Sequence, residues 1–184
     1  SFRERLGRYA LLTKARLVGL VLMTTLAAYL TARRGPFDAA ELIAVMLGAA
    51  CCAFAANAFN QILERDRDAL MLRTRTRPLP SGDMSTRHAL VVATGLLVAG
   101  QIILLGGTNT LTAMLALATV LIYVLLYTPM KTRSSLNTLV GAICGALPPM
   151  LGWTAAAGRL EGGAWLLGLL LFLWQIPHFL ALAW

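Results

Sequence analysis

Charge is scarce in this sequence, and negative charge scarcest of all. Eight Asp and Glu stand against 16 Lys and Arg, and only 13% of the 184 residues are charged, about half the share a soluble domain carries. No stretch is polar enough and long enough to fold as a soluble domain behind a leader, which excludes a secretory signal followed by a water-soluble enzyme. Cysteine is nearly as rare. Cys51 and Cys52 are adjacent and Cys144 is distant, a pattern that gives neither a disulfide framework nor metal-ligand spacing. All three read as small core residues. Linkers, repeats and low-complexity tracts are absent too, so residues 1–184 read as a single domain.

What the sequence has in abundance is oil. Hydrophobic residues make up 58% of it, gathered into runs close to the ~20 residues that a helix needs to cross the hydrocarbon core. Spans are expected at about 17–32, 39–62, 89–106, 111–129, 137–157 and 164–184, which makes the fold class all-α, a polytopic membrane helical bundle of about six spans. The net charge of +8 is explained by where the cations fall. Arg3, Arg5, Arg8, Lys14 and Arg16 precede the first span. Arg65, Arg67, Arg73, Arg75, Arg77 and Arg87 lie between the second and third, and Lys131 and Arg133 between the fourth and fifth. Only Arg33, Arg34 and Arg159 fall on the opposite side. The positive-inside rule then places the N-terminus and both basic loops in the cytoplasm, or on the equivalent side of an organelle membrane. Topology accounts for the charge, and no nucleic-acid partner is needed.

One stretch breaks the apolar pattern: NAFNQILERDRDALMLRTRTRPLPSG, residues 57–82. Asn60, Glu64 and Asp68 are spaced by four and form one stripe on a helix, each rising about 6 Å above the last. A carboxamide and two carboxylates on one face can hold a hard divalent cation, and Mg²⁺ is commonly bound by one or two carboxylates plus phosphate oxygens and water. Asp66 points away from the stripe on a continuous helix and ranks second. Arg73, Arg75 and Arg77 follow, before Pro78 and Pro80 exclude further helix. Carboxylates beside guanidinium forks suit a diphosphate carrying Mg²⁺. The competing reading makes these charges snorkelling anchors, with the carboxylates pairing the arginines. Against it stands Asn60, a polar group inside an apolar run, where such groups face a cavity or a partner. A second polar segment, YTPMKTRSSLN at 127–137, falls on the same side of the membrane. Tyr127 and Lys131 are again four apart, although Pro129 between them puts a regular helix in question. Ser85 and Thr86 read as caps for the third span, which leaves His88 beside them without a catalytic role.

Together NQILERDRD and RTRTRPLPSG resemble the first aspartate-rich motif of the intramembrane UbiA-type prenyltransferases, and YTPMKTR resembles their Tyr-and-Lys loop. Within that superfamily LNTLVGAICGALPPMLGW (136–153) and LFLWQIPHFLALAW (171–184) are similar to the protohaem IX farnesyltransferase (haem O synthase) branch. The resemblance implies a helical bundle around a central cavity, part of a fold of about nine spans. It implies farnesyl diphosphate bound through Mg²⁺, and transfer of the farnesyl group to a vinyl group of haem b to form haem O. Carried over residue by residue, Asn60, Glu64 and Asp68 would hold the metal. Arg73, Arg77 and Lys131 would bind diphosphate oxygens, with Tyr127 lining the site. Trp174 and His178 would lie in the haem pocket, His178 either as an iron ligand or bonded to a carbonyl freed by Pro177. Glu64 stands where family members often have Asp. The resemblance also implies lipid around the bundle, and haem A synthase or terminal-oxidase assembly factors as recipients of the product. A bacterial plasma (inner) membrane is expected over a mitochondrial inner membrane, because no Arg/Ser-rich amphipathic presequence is visible. The family's second aspartate-rich motif is missing before Trp184, so the chain reads as incomplete at its C-terminus and inactive alone. Two rivals bracket this reading. A UbiA-type enzyme acting on an aromatic ring would share the metal site and leave WQIPHFLALAW unexplained. A transporter would put its carboxylates near the midplane, not at a helix end beside arginines.

Overall fold

Why the charged stripe can stand clear of the membrane is a matter of helix length. In the computed structural model, which describes residues 2–183 and side chains from residue 7 to residue 181, the second apolar run does not stop where its hydropathy falls. It continues as one 32-residue helix, α3 (Ala39–Leu70), about 48 Å long against roughly 30 Å of hydrocarbon. Its last two turns, with Glu64 and Asp68, therefore project beyond the apolar layer. Asp38 caps its start, accepting from the amides of Ala40 and Glu41.

The other elements are α1 (Phe2–Thr13), α2 (Ala15–Ala32), α4 (Thr86–Gly107), α5 (Thr110–Leu121), a π-helical turn (Ile122–Tyr127), α6 (Thr128–Met130), α7 (Asn137–Ala157) and α8 (Gly162–Ala183). Among the described residues, six helical stretches are long and apolar enough to span a bilayer, and the protein is a multi-pass membrane protein. Ser85 caps α4 by accepting from the His88 amide, and Asn109 caps α5 by accepting from Thr112. The basic segment ahead of the first span is itself a helix, α1, which the apolar pattern does not announce. The side chains of Arg3 and Arg5, and all of Trp184, lie outside what the structure describes.

Small residues bring the helices together. A Cβ on Gly100 would sit 2.8 Å from Cys52 Sγ and 2.9 Å from the Gly48 carbonyl, and one on Gly152 would sit 2.1 Å from the Thr25 carbonyl. The α3–α4 and α2–α7 crossings are thus backbone-to-backbone approaches, the usual solution where lipid gives no hydrophobic drive between helices. α7 is the central helix and packs against α2, α5 and α8. α8 is peripheral, with Leu166, Leu169, Leu170, Leu173 and Trp174 exposed on its outer face.

Candidate diphosphate site

Three stretches, two of them remote in sequence, meet at the end of α3, and each brings a cation to one oxygen of the stripe. Lys14 Nζ donates to Asn60 Oδ1 at 2.8 Å. Lys131 Nζ lies 2.9 Å from Glu64 Oε1, and Arg77 Nη1 lies 2.7 Å from Asp68 Oδ2. In both ion pairs the carboxylate is the more buried partner: Asp68 is 6% exposed and Glu64 13%, against 22% for Arg77 and 28% for Lys131. Asp66 sits on the other side of the helix, 86% exposed and paired with its neighbour Arg65.

Each cation is delivered by its own local device. The peptide between α1 and α2 turns at Lys14 in the left-handed conformation, φ +51°, the only positive φ at a non-glycine among the described residues. Such a backbone persists where surrounding structure over-determines it. Here Gln61, fully buried, does so by donating to the carbonyls of Leu11 and Leu12 at 2.7 and 2.9 Å. The Lys14 ammonium is held down to about 8, first by burial and then by the positive charges of Lys131 and Arg77, with Glu64 and Asp68 opposing them. The arginine loop folds back on α3 through Thr74, whose hydroxyl donates to the Asp68 carbonyl at 2.9 Å. Pro78 and Leu79 bury themselves, Leu79 packing with Leu12, Met84 and Ala89, and this fixes Arg77 over Asp68. Lys131 is placed by the π turn and α6. Thr128 accepts from Asn60 Nδ2 at 3.1 Å and donates to the Tyr123 carbonyl at 2.8 Å. The Lys131 ammonium rests 4.9 Å from the Tyr127 ring centroid, so Pro129 bends the segment without separating the two side chains.

Not every expected residue joins the cluster. Arg73 is exposed, and no ion pair of its own is found among the described residues. Trp174 and His178 stack on each other, ring centroids 4.9 Å apart, on the exposed side of α8. Phe179 links them to the site, lying 6.0 Å from the His178 ring and 6.5 Å from Tyr127. His88 bonds to Tyr9 at 2.9 Å, away from the stripe. Lys14 was concealed among the topology-setting cations, and nothing in its spacing marks it. Gln61 and Thr128 had a fainter signal, as polar residues within apolar runs.

The donor set suits a metal that arrives with its own ligands. Among the described residues no group of three or more His, Cys, Asp or Glu could cage an ion unaided. Two carboxylates and a carboxamide on one face fit Mg²⁺ when phosphate oxygens and water complete its octahedron. The cations at 2.7–2.9 Å from those oxygens are equally placed to turn to phosphate.

The sequence profile of the UbiA prenyltransferase family matches residues 21–184. The chain belongs to the UbiA prenyltransferase family. This UbiA-family chain is 45% identical over 178 residues to the human mitochondrial protoheme IX farnesyltransferase, an alignment that takes in 97% of the chain and 40% of the relative. It is 46% identical over 174 residues to protoheme IX farnesyltransferase of Rhodopirellula baltica, 94% of the chain and 61% of that protein. It thus spans only about half the length of these curated relatives. Among solved structures it is similar to a digeranylgeranylglyceryl phosphate synthase, TM-score 0.82 at 20% identity over 94% of this chain and 60% of that one. A UbiA homologue from Archaeoglobus fulgidus bound to GPP and Mg²⁺ gives TM-score 0.75 at 17% identity over 93% of this chain and 62% of that one. These structural likenesses establish the all-helical membrane fold.

Proposed function

We propose that this chain carries the diphosphate-binding site of a protohaem IX farnesyltransferase, which moves the farnesyl group of farnesyl diphosphate to a vinyl group of haem b and forms haem O. The observation that carries the reading is the meeting of Lys14, Arg77 and Lys131 over Asn60, Asp68 and Glu64. The choice of substrates rests on the identity to curated relatives of that name. Residues 1–184 then belong to one membrane prenyltransferase domain. The distribution of its cations supports an orientation with the N-terminus and both basic loops on the cytoplasmic side, and the membrane we assign is a bacterial plasma membrane.

In this reading Glu64 and Asp68, with Asn60, hold Mg²⁺, which when bound neutralises charge growing on the leaving diphosphate. Arg77, Lys131 and Lys14 give up their intramolecular oxygens and grip the phosphate oxygens, strengthening as the allylic C–O bond breaks. Tyr127 lines the site beneath Lys131. The electron pair of that bond leaves with diphosphate, and the allylic cation is captured by the vinyl carbon of haem. The second cation, beside the porphyrin, takes up water and loses a proton to give a hydroxyethylfarnesyl group. Apolar walls keep water from the first cation. Trp174 and His178 are assigned to the haem side, adjoining the site through Phe179.

The test is made with the full-length protein in cells lacking haem O, by extracting haems and seeking the hydroxyethylfarnesyl adduct of haem b by mass spectrometry. The adduct should form, and Asp68→Asn should abolish it. Haem b alone, from protein folded in the membrane, would move the acceptor to another class, an aromatic ring foremost.

A further inference from the structure

Below the cation cluster the bundle holds a second feature that the diphosphate chemistry does not use: a cavity of about 50 Å³ between α2, α3, α5 and α7. Its walls are small residues, Ala49, Ala53 and Ala56 on α3 and Ala116 on α5. Its two hydroxyls are already bonded to backbone carbonyls. Thr119 donates to the Leu115 carbonyl at 2.7 Å, and Thr25 to those of Val21 and Pro148, both at 3.2 Å. Water needs two to four polar partners, and these walls have little to give it.

The cavity is aligned with the site. Ala56, Ala53 and Ala49 continue the face of α3 that carries Asn60, since steps of three and four residues return to one side of a helix. On the adjoining chain Tyr127 stacks on Tyr123, ring centroids 5.2 Å apart, and Ala116 lies further along. On α7, Gly141 abuts Tyr127, and Pro148 and Leu151 line the cavity further along the helix. Three helices therefore run from the level of the cations to the level of the cavity, and each gives its own measure of depth. The distance is eleven residues from Asn60 to Ala49, eleven from Tyr127 to Ala116 and ten from Gly141 to Leu151, about 15–17 Å at helical rise.

Beyond that level there is no room. The Thr25 carbonyl meets Gly152 at a backbone contact that would not admit a methyl group. Tyr29 and Val45 are fully buried just past it, packed with Leu151. Three isoprene units, twelve main-chain carbons, extend about 14–15 Å at ordinary carbon–carbon geometry, and a fourth would need about 5 Å more.

We infer that Thr25 and Leu151, with Ala49 and Ala116 beside them, form a floor that limits the accepted prenyl chain to three isoprene units. This rests on the prenyl-transfer reading and adds to it which residues measure the substrate. Leu151 sets the depth by its bulk, and Ala53, in the cavity wall, leaves room for the chain by having almost none.

The test gives full-length protein, with haem b, an equimolar mixture of geranyl, farnesyl and geranylgeranyl diphosphates and reads the product ratio by mass spectrometry. Leu151→Ala should raise the geranylgeranyl-to-farnesyl ratio at least about tenfold, by the tens to hundreds that a methylene or more is worth in an apolar pocket. Ala53→Leu should raise the geranyl-to-farnesyl ratio by a similar factor. Leu169→Ala, on the exposed face of α8, should leave both ratios unchanged. If Leu151→Ala fails to accumulate in membranes, Leu151→Val asks the same question with a smaller void. Ratios that stay within twofold of wild type in folded variants overturn the floor while leaving prenyl transfer intact. If wild type prenylates no haem, the same ratios are read by competition against radiolabelled farnesyl diphosphate for binding, so the floor and the acceptor assignment fail separately.

Discussion

Both ends of this bundle carry ion pairs, and they are built on opposite plans. At the end opposite the site, Arg33 pairs with Glu41, which also accepts from Tyr29, and Arg159 pairs with Glu161 two residues on. These partners are near neighbours in sequence, either side of tight turns, and Arg34 reaches Glu161 while itself 81% exposed. At the site end the partners are 67 residues apart for Lys131 and Glu64 and 46 apart for Lys14 and Asn60, with only Arg77 and Asp68 close, nine apart. Local pairs of this kind staple a turn and can be lost with modest effect. Long-range pairs around buried carboxylates need several elements to hold them and leave a costly charge when broken. The same residue types fasten turns at one end and converge on one helix stripe at the other. The depth of the carboxylates tells the two apart: Asp68 and Glu64 are 6% and 13% exposed, against 21% and 19% for Glu41 and Glu161.

That contrast can be broken at graded points. The largest effect is expected from Asp68→Asn, which removes one of the two carboxylates proposed to hold the metal. Turnover by the full-length protein should fall on the order of 10²–10³-fold, as when one electrostatic contact to a developing charge is lost, with folded protein still present in the membrane by its unfolding temperature. Lys131→Met comes next. It leaves Glu64 buried without its partner and removes a cation proposed to grip diphosphate, so both turnover, by about 10–100-fold, and thermal stability should drop. Lys14→Met sharpens the comparison, because sequence position alone files Lys14 with the topology cations. The KM for farnesyl diphosphate should rise about tenfold, as for one charge-assisted bond, while Lys14→Arg should recover part of it. An unchanged KM would return Lys14 to a structural role. At the other end Arg33→Gln should cost about 1–2 kcal/mol in stability, as for a hydrogen bond to a charged group, with kcat and KM unaltered. Arg34→Gln should change neither measurably, as is usual for exposed pairs.

The sequence made the spans legible to within a few residues, because a run of apolar side chains long enough to cross lipid has no other use. It also showed the stripe of Asn60, Glu64 and Asp68 and set Asp66 apart, because helical phase is arithmetic. Helix α1 and the outward extension of α3 to Leu70 were harder to see, since amphiphilic and charged helices carry little hydropathy signal. Among the arginines, the choice of Arg77 for Asp68 depends on how Pro78 and Leu79 bury themselves, a tertiary matter. The same holds for Lys14, whose place depends on a backbone angle and on Gln61 bonding to carbonyls about fifty residues away.

The π turn at Ile122–Tyr127 has a consequence for how the molecule can change. A π turn holds one residue more than the α turn it replaces. It acts as a phase shifter between α5, whose face is set by packing on the core, and the Tyr127–Lys131 segment, whose face is set by Glu64. Removing a single residue there would swing everything downstream by about 100° around the helix axis. Lys131 would then point away from Glu64, although every side chain at the site had kept its identity. An insertion-or-deletion boundary therefore runs through this protein where no substitution map would draw one, and homologues should vary in composition at 122–127 far more readily than in length.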